Sequence, residues 1–250
     1  MKTDIGISRN QVIDEFIKGR KSLRALSPIV HQLQDTVSQP DISMSRIENI
    51  VNQDSALTAS ILRMVNSAYY GLRERVDSIN LALVVLGIDE ITSLAYSIAI
   101  LDVFQPAEDK ELFDYKQFWH HTMVVSQVAR NMADEIGLPN PAQAYLFGII
   151  RDIGILALLE VDHDNYQQVL LDARESGQPI WLTELQAYDF HHGHIGGKLM
   201  QHWNFPEWIS NAVEHHMEPE LAKEQRPIVG IVGIAEMVTR RWEETNEKPI

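Results

Sequence analysis

LFGIIRDIGILALL, residues 146–159, is apolar throughout except for an adjacent cation and carboxylate, Arg151 and Asp152. Pro141 stands a few residues earlier, and proline is favoured at the first position of a helix, so the run reads as one greasy helix starting there. A charge inside such a helix must find a partner, because an unpaired buried charge is costly. Two readings are open: a metal site that has lost a ligand, or a buried ion pair that stabilises a scaffold. Gly148 lies four residues before Asp152, and Gly148 and Gly154 stand three residues to either side of Arg151. A missing side chain at such places lets another helix or a ligand approach closely.

Outward from this stretch the apolar residues keep a helical period. Asp54 reads as an N-cap, followed by Leu57, Ile61, Met64, Val65 and Ala68 on one stripe, with Gly71 ending the segment. Ser78 opens a short helix that Gly87 closes, and Asp89 opens the next. A helix from Asp114 to Gly137 carries Phe118, Thr122, Val125, Ala129, Met132 and Ile136 inward. Further helices are expected at about 164–175, 179–190, 193–203, 206–216 and 227–242. No run alternates apolar and polar residues as a strand would. The fold class is all-α: a multi-helix bundle preceded by an N-terminal helical subdomain packed against it. The polar, proline-containing stretch FQPAEDKELFDY (104–115) marks a soft internal boundary. The organisation read from this is a helical extension at 1–23, an N-terminal helical part at 24–113, a second helical part at 114–242 and a polar tail at 243–250.

The chain has 250 residues, 45% of them hydrophobic, which is enough for a core without staples. It has no cysteine, which excludes disulfides, thiolate metal sites and a cysteine nucleophile. The N-terminus lacks the apolar core of a signal peptide, and no apolar stretch reaches the roughly 18 residues of a membrane span, so a cytoplasmic location is expected. The net charge of −14 repels phosphate backbones and anionic lipids. Nucleic acid and membrane are therefore not expected partners. Arg240 and Arg241 are too small a basic spot to reverse this and read as favourable charges near a helix C-terminus.

Nine of the ten histidines lie after residue 119. Imidazole is the commonest metal ligand and a common acid–base group. His121 shares a face with Phe118, Val125 and Val128 and leans toward the core, while His120 faces solvent. His191, His192 and His194 read as a partly solvated helix entry, and His215 and His216 as a helix end where the dipole favours histidine. Glu236, within IVGIAEMV, shares a face with Val229, Val232 and Gly233 and reads as a polar residue at the edge of the core. Trp203 and Trp208 read as core, whereas Tyr69 and Tyr70 are open between core and a partner site.

The segments QDSALTASILRMVNSAYYG (53–71) and SINLALVVLG (78–87), followed in order by FWHHT, FGIIRDIGILALL, HHGHIGGKLMQHWNFPEWISNAVEHH and IAEMV, resemble the HDOD proteins, the HD-related output domains. The likeness spans about residues 24–240. Ser55 stands where that family usually has proline, a harmless change in a first turn. HDOD domains are similar to the HD phosphohydrolase superfamily, which holds a metal with a histidine, a His-Asp doublet and a later aspartate. Carried over, the first histidine matches His121, the doublet falls on Arg151-Asp152 and the last aspartate on Glu236. Glutamate is a legitimate oxygen ligand. A guanidinium has no lone pair and stays charged, so Arg151 cannot ligate a metal. The expectation is a degenerate site of His121, Arg151, Asp152 and Glu236 in which Arg151 replaces the ion and bridges Asp152, Glu236 or both. Neighbours on a helix point about 100° apart, so its pairing with Asp152 is expected to be indirect.

The resemblance implies a non-catalytic bacterial signalling module that acts through protein partners, with no catalytic residue and no cofactor expected. Two alternatives stand beside it. One is a metal-dependent phosphohydrolase with an altered site, in which His121, Asp152, His194, His215 and His216 hold a divalent ion such as Mn, Fe or Zn. The other is a nucleotide-sensing pocket in which Arg151 receives a phosphate.

Overall fold

The computed structural model describes residues 13–14, 25–104, 113–222 and 225–246. Its elements are α1 (Pro28–Val37), α2 (Met44–Val51), α3 (Ser55–Val65), α4 (Ile79–Leu86), α5 (Ile88–Val103), α6 (Tyr115–Glu135), α7 (Pro141–Ile150), α8 (Ile153–Val161), α9 (His163–Ser176), α10 (Ile180–Tyr188), α11 (His192–His202), α12 (Glu207–Glu214), a 3₁₀ turn (Pro219–Leu221) and α13 (Arg226–Asn246). There is no strand among the described residues. The expected extension at 1–23 lies outside them except for residues 13 and 14, as does most of the 104–115 boundary. The last helix, expected to end at about 242, continues as α13 through Glu243 to Asn246.

Local chemistry sets many of the helix ends. The Asp54 carboxylate accepts hydrogen bonds from the amides of Ala56 and Leu57. Ser78 accepts from Leu81, and Asp114 from Gln117. Each satisfies amides that the first turn leaves without an intrahelical partner. Asp89 does not cap its helix. Gly87 at φ 86° is the N-cap of α5 and offers no side chain, and Asp89 sits inside the first turn. Within NSAYYG, Asn66 staples the turn after α3. Its amide nitrogen donates to the Leu62 and Val76 carbonyls, and its carbonyl accepts from the Val76 amide.

One continuous set of buried apolar side chains runs from Ile13 to Ala235, through both halves of the chain. α5 packs on α7, α6 lies against α7 and α13, and α8 lies against α11. Among the described residues, Glu90 and Arg130 join the halves by charge as well: Arg130 donates to the Glu90 carboxylate at 2.7 Å. Trp203 is buried, while Trp208 packs partly exposed against the core. Tyr70 donates to Glu90 at 2.5 Å, whereas Tyr69 remains exposed.

The greasy run is not one helix. It breaks into α7 and α8, with Arg151 as the C-cap of the first and Asp152 at the entry of the second. Two glycines explain the position of this break in the bundle. A Cβ on Gly148 would lie 2.6 Å from the Ser126 Cα, so α7 and α6 touch backbone to side chain there. A Cβ on Gly154 would lie 1.9 Å from the His192 carbonyl oxygen. The start of α8 therefore rests directly on the start of α11, and this backbone contact brings Asp152 next to His192.

Candidate functional site

The break between α7 and α8 turns Arg151 and Asp152 toward each other. Arg151 Nη2 lies 2.8 Å from Asp152 Oδ2 and 2.5 Å from Glu236 Oε2 on α13. The expected indirect pairing with Asp152 is thus a direct one, because the two residues do not share a regular helix. One guanidinium nitrogen serves both carboxylates, while the buried Nε finds no protein partner. The other oxygen of Glu236 accepts from Arg240, one helical turn further along.

His121 on α6 meets the same Glu236 oxygen as Arg151. Its Nε2 lies 2.7 Å from Glu236 and its Nδ1 lies 2.9 Å from Glu243. Both ring nitrogens face carboxylates, which is the arrangement of an imidazolium donating twice. Burial lowers its pKa, but the bonds and charges of Glu236 and Glu243 outweigh this and raise it above the usual histidine value. Glu236 is correspondingly pulled below the usual carboxylate range: burial opposes this, and His121 and Arg151 overcome it. The position that matches the superfamily's metal thus holds the Arg151 guanidinium and the His121 imidazole between Asp152, Glu236 and Glu243. These residues do not fit an ion there. One position has no lone pair to give, and both ring nitrogens of His121 are already engaged by Glu236 and Glu243.

On the inner side of Asp152 a different set converges. Asp152 Oδ1 lies 3.3 Å from His216 Nε2 and 3.5 Å from His192 Nε2, and the two imidazole nitrogens lie 3.2 Å apart. His192 Nδ1 donates to Glu184 Oε2 at 2.7 Å, and the His192 amide donates to the same oxygen. Tyr166 donates to the other oxygen of Glu184. His216 Nδ1 donates to the Val213 carbonyl at 2.7 Å. Burial lowers the pKa of His192, but Glu184 and Asp152 more than offset it and hold it up to about 10. His216, with burial dominating, is lowered. One proton therefore sits on His192 and bridges toward Asp152 and His216. Asp152 is held well below the usual carboxylate range: burial opposes this, and Arg151 and the two imidazoles prevail.

This geometry corrects two sequence expectations. His194 does not converge on Asp152. It is buried at the third position of α11, where its ring accepts from the His191 amide while the His191 ring accepts from the Gly193 amide. His215 is the C-cap of α12 and is not among the groups that meet at Asp152. His192 takes their place and is fully buried, where the sequence suggests a partly solvated helix entry. His191 and His194 are buried as well. Glu184, which orients His192, carried no signal beyond being one acid in the otherwise unremarkable helix IWLTELQAY. The Gly154 contact with α11, which sets His192 next to Asp152, is visible only in the structure.

A cleft of about 530 Å³ opens over both sets. Arg151, Asp152, His192, His216 and Glu236 form its polar floor, and Trp181, Ile234 and Met237 are among its apolar walls.

The HDOD domain family matches residues 23–219, most of the chain. The chain belongs to the HDOD domain family. An uncharacterised protein of Treponema pallidum (strain Nichols) is 27% identical over 211 residues, 84% of this HDOD chain and 40% of that relative. The cyclic di-GMP phosphodiesterase CdgJ of Vibrio cholerae is 34% identical over 94 residues, 36% of this chain and 22% of that protein. The chain thus spans less than half the length of these curated relatives. A crystal structure of an HDOD domain protein of unknown function from Geobacter sulfurreducens superposes with a TM-score of 0.81 at 24% identity. It covers 97% of this chain and 82% of that one. Among the described residues of this HDOD chain, no helix is long and apolar enough to cross a membrane.

Proposed function

We propose that this chain is a regulatory module of bacterial signal transduction that works in the cytoplasm through protein partners and does not hydrolyse phosphoesters. The observation that carries the reading is the Arg151 guanidinium, 2.8 Å from Asp152 and 2.5 Å from Glu236. Phosphoester hydrolysis of the superfamily's kind draws its nucleophile and its charge stabilisation from bound metal. Arg151 contributes fixed positive charge in that place but can neither bind water as a Lewis acid nor lower its pKa. What remains is a rigid helical surface around a charge-neutralised centre. The chain's membership of the HDOD family and the bacterial relatives support the signalling setting. The test is phosphodiesterase assay of the tag-free protein with Mn²⁺, Fe²⁺ and Zn²⁺, using bis-p-nitrophenyl phosphate and cyclic dinucleotides. No turnover above buffer is expected. Metal-dependent turnover that Asp152→Asn abolishes sinks the reading.

A second reading is a nucleotide sensor, and the cleft favours it. Its volume lies within the usual range for small-molecule sites. Trp181 in its wall could stack on a base, and Arg240 at its mouth could receive a phosphate. Thermal-shift screening against nucleotides tests it; a flat response across mono-, di- and cyclic dinucleotides removes it.

A further inference from the structure

We propose that the exposed face of α13 is a self-association surface. Two copies of this chain pair antiparallel along it, and each sets Trp242 against the bare glycine backbone at the other's cleft. This goes beyond the regulatory reading and does not depend on it.

The first support is the size of the face. α13 packs on α6 and α7. Away from that contact, Ile234, Met237, Val238 and Trp242 are 45, 65, 53 and 57% exposed. Residues three and four apart are neighbours on a helix surface, so the four form one continuous stripe. Four large apolar side chains at about half exposure present on the order of 400 Å² of surface, within the roughly 300–600 Å² of patches that are often functional. Interfaces are roughly 56–65% apolar, so such a stripe corresponds to about 700 Å² buried per copy. A standard interface buries roughly 800 Å² per partner.

The second support is that the face fits itself. In a two-fold pair the same patch serves both copies, so a protrusion must meet a recess of its own kind. Gly230 and Gly233 line the cleft beside Ile234 and Met237, and a Cβ at either glycine would meet nothing within 4 Å. That bare stretch of backbone is the recess, and Trp242 is the protrusion. Trp242 stands nine residues beyond Gly233, about 13.5 Å along the helix at a rise of roughly 1.5 Å per residue. With the axis between Met237 and Val238 and the helices antiparallel, Trp242 of one copy falls beside Gly233 of the other. Met237 then meets Val238, and Ile234 lies next to the incoming Trp242. One placement covers all four apolar side chains of both copies, and the missing glycine side chains let the helices approach closely.

The third support is charge. The chain carries −14 overall, which opposes pairing through most of its surface. The margins of the α13 face are balanced within the helix: Arg240 lies 2.7 Å from Glu236 and Arg241 lies 3.5 Å from Glu244. Glu243 is engaged by His121. Two copies can meet here without setting unpaired acids against each other.

The test is sedimentation velocity of the tag-free full chain across the micromolar range, where a reversible monomer–dimer equilibrium is expected. Met237→Glu places two carboxylates at the axis and should weaken pairing about 10-fold or more, with an unchanged thermal melt of the monomer. Gly233→Leu has room in a single copy, so its melting temperature should hold or rise. It fills the place of Trp242 and should also weaken pairing about 10-fold or more. Val84→Glu, at another exposed apolar side chain on α4, should pair as the unaltered protein does. The Trp242 emission, taken as the difference between the parent and Trp242→Phe, should shift to the blue as concentration rises. A monomer at every concentration overturns the proposal and leaves the face to a different protein. A dimer broken by Val84→Glu and untouched by Met237→Glu places the interface elsewhere and overturns it too. A dimer lost in Met237→Glu but indifferent to Gly233→Leu overturns the antiparallel placement.

Discussion

Arg151 Nη2 lies 2.5 Å from Glu236 Oε2 while the same nitrogen lies 2.8 Å from Asp152 Oδ2, so one guanidinium ties the α7–α8 break to α13. Both carboxylates are mostly buried, and removing the cation would leave them facing each other without it. Arg151→Met is therefore expected to cost about 3–5 kcal/mol, the usual result of breaking a buried pair by deleting one partner. Arg151→Lys should recover part of this, since a single ammonium can reach one carboxylate well but lacks the planar fork. Urea denaturation of the two variants measures both. A loss below about 1 kcal/mol in the Met variant would place the pair among surface salt bridges and remove its structural role.

The contact beneath that pair has no slack. A Cβ on Gly154 would sit 1.9 Å from the His192 carbonyl oxygen and 2.7 Å from its carbon. Because both neighbours are backbone, nothing can rotate away. Gly154→Ala should separate α8 from α11 and destabilise by at least the roughly 1–3 kcal/mol typical of overpacking. It should also pull Asp152 away from His192, changing the His192 ring shifts in NMR. A thermal melt matching the parent would show that the two helices do not rest on each other here.

These two elements show how far the sequence could be read. Helical period, N-cap residues and the absence of alternation made the all-α class and the Asp54, Ser78 and Asp114 helix starts legible, because these signals are local. The break at Arg151-Asp152 was not legible. Its cause is the fit of α8 against α11, and the same apolar letters would suit an unbroken helix. His121, Arg151, Asp152 and Glu236 could be aligned by resemblance, and the structure links them. Nothing in the sequence singles out His192, because HHGHIGG looks like a polar helix start. Only the packing around Gly154 buries it and carries it to Asp152. His194, two residues later and chemically identical, is instead spent on the α11 cap. Choosing between such neighbours requires the rotation of the helix, and a string of histidines does not define it.

His121 sets a pH dependence whose sign can be worked out. Its folded pKa is raised above the ordinary value of 6.5: burial opposes the shift, and Glu236 and Glu243 outweigh it. The folded protein therefore keeps this proton where the unfolded chain has released it. The contribution is fully present below about pH 6.5 and is lost as pH rises through the folded pKa. Urea midpoints measured from pH 6 to 9 should fall with rising pH, and His121→Gln should flatten part of that slope. His192 is also raised, to about 10, so some slope should persist in the variant. An unchanged slope in His121→Gln would mean that the His121 imidazole is neutral in the folded state.

The junction between the two halves turns on Glu90. Its carboxylate is buried on α5, accepts from Arg130 of α6 at 2.7 Å and from Tyr70 at 2.5 Å, and the Arg130 guanidinium lies over the rings of Tyr69 and Tyr70. Burial raises the Glu90 pKa, and Tyr70 and Arg130 pull against it. Arg130→Met removes the only cation bonded to this acid among the described residues, so it should cost about 3–5 kcal/mol. Glu90→Gln keeps an oxygen for both donors and should cost less. The combination Glu90→Leu with Arg130→Met should cost less than the sum of the two single changes, since each alone strands the other's partner. Because this pair and the shared core join the halves, every variant should still unfold in one transition, followed by circular dichroism and by tryptophan fluorescence together. Additive single losses would show that Glu90 and Arg130 act independently. Separate transitions by the two probes would show that the N-terminal helices are a distinct folding unit, joined to the rest by little more than this ion pair.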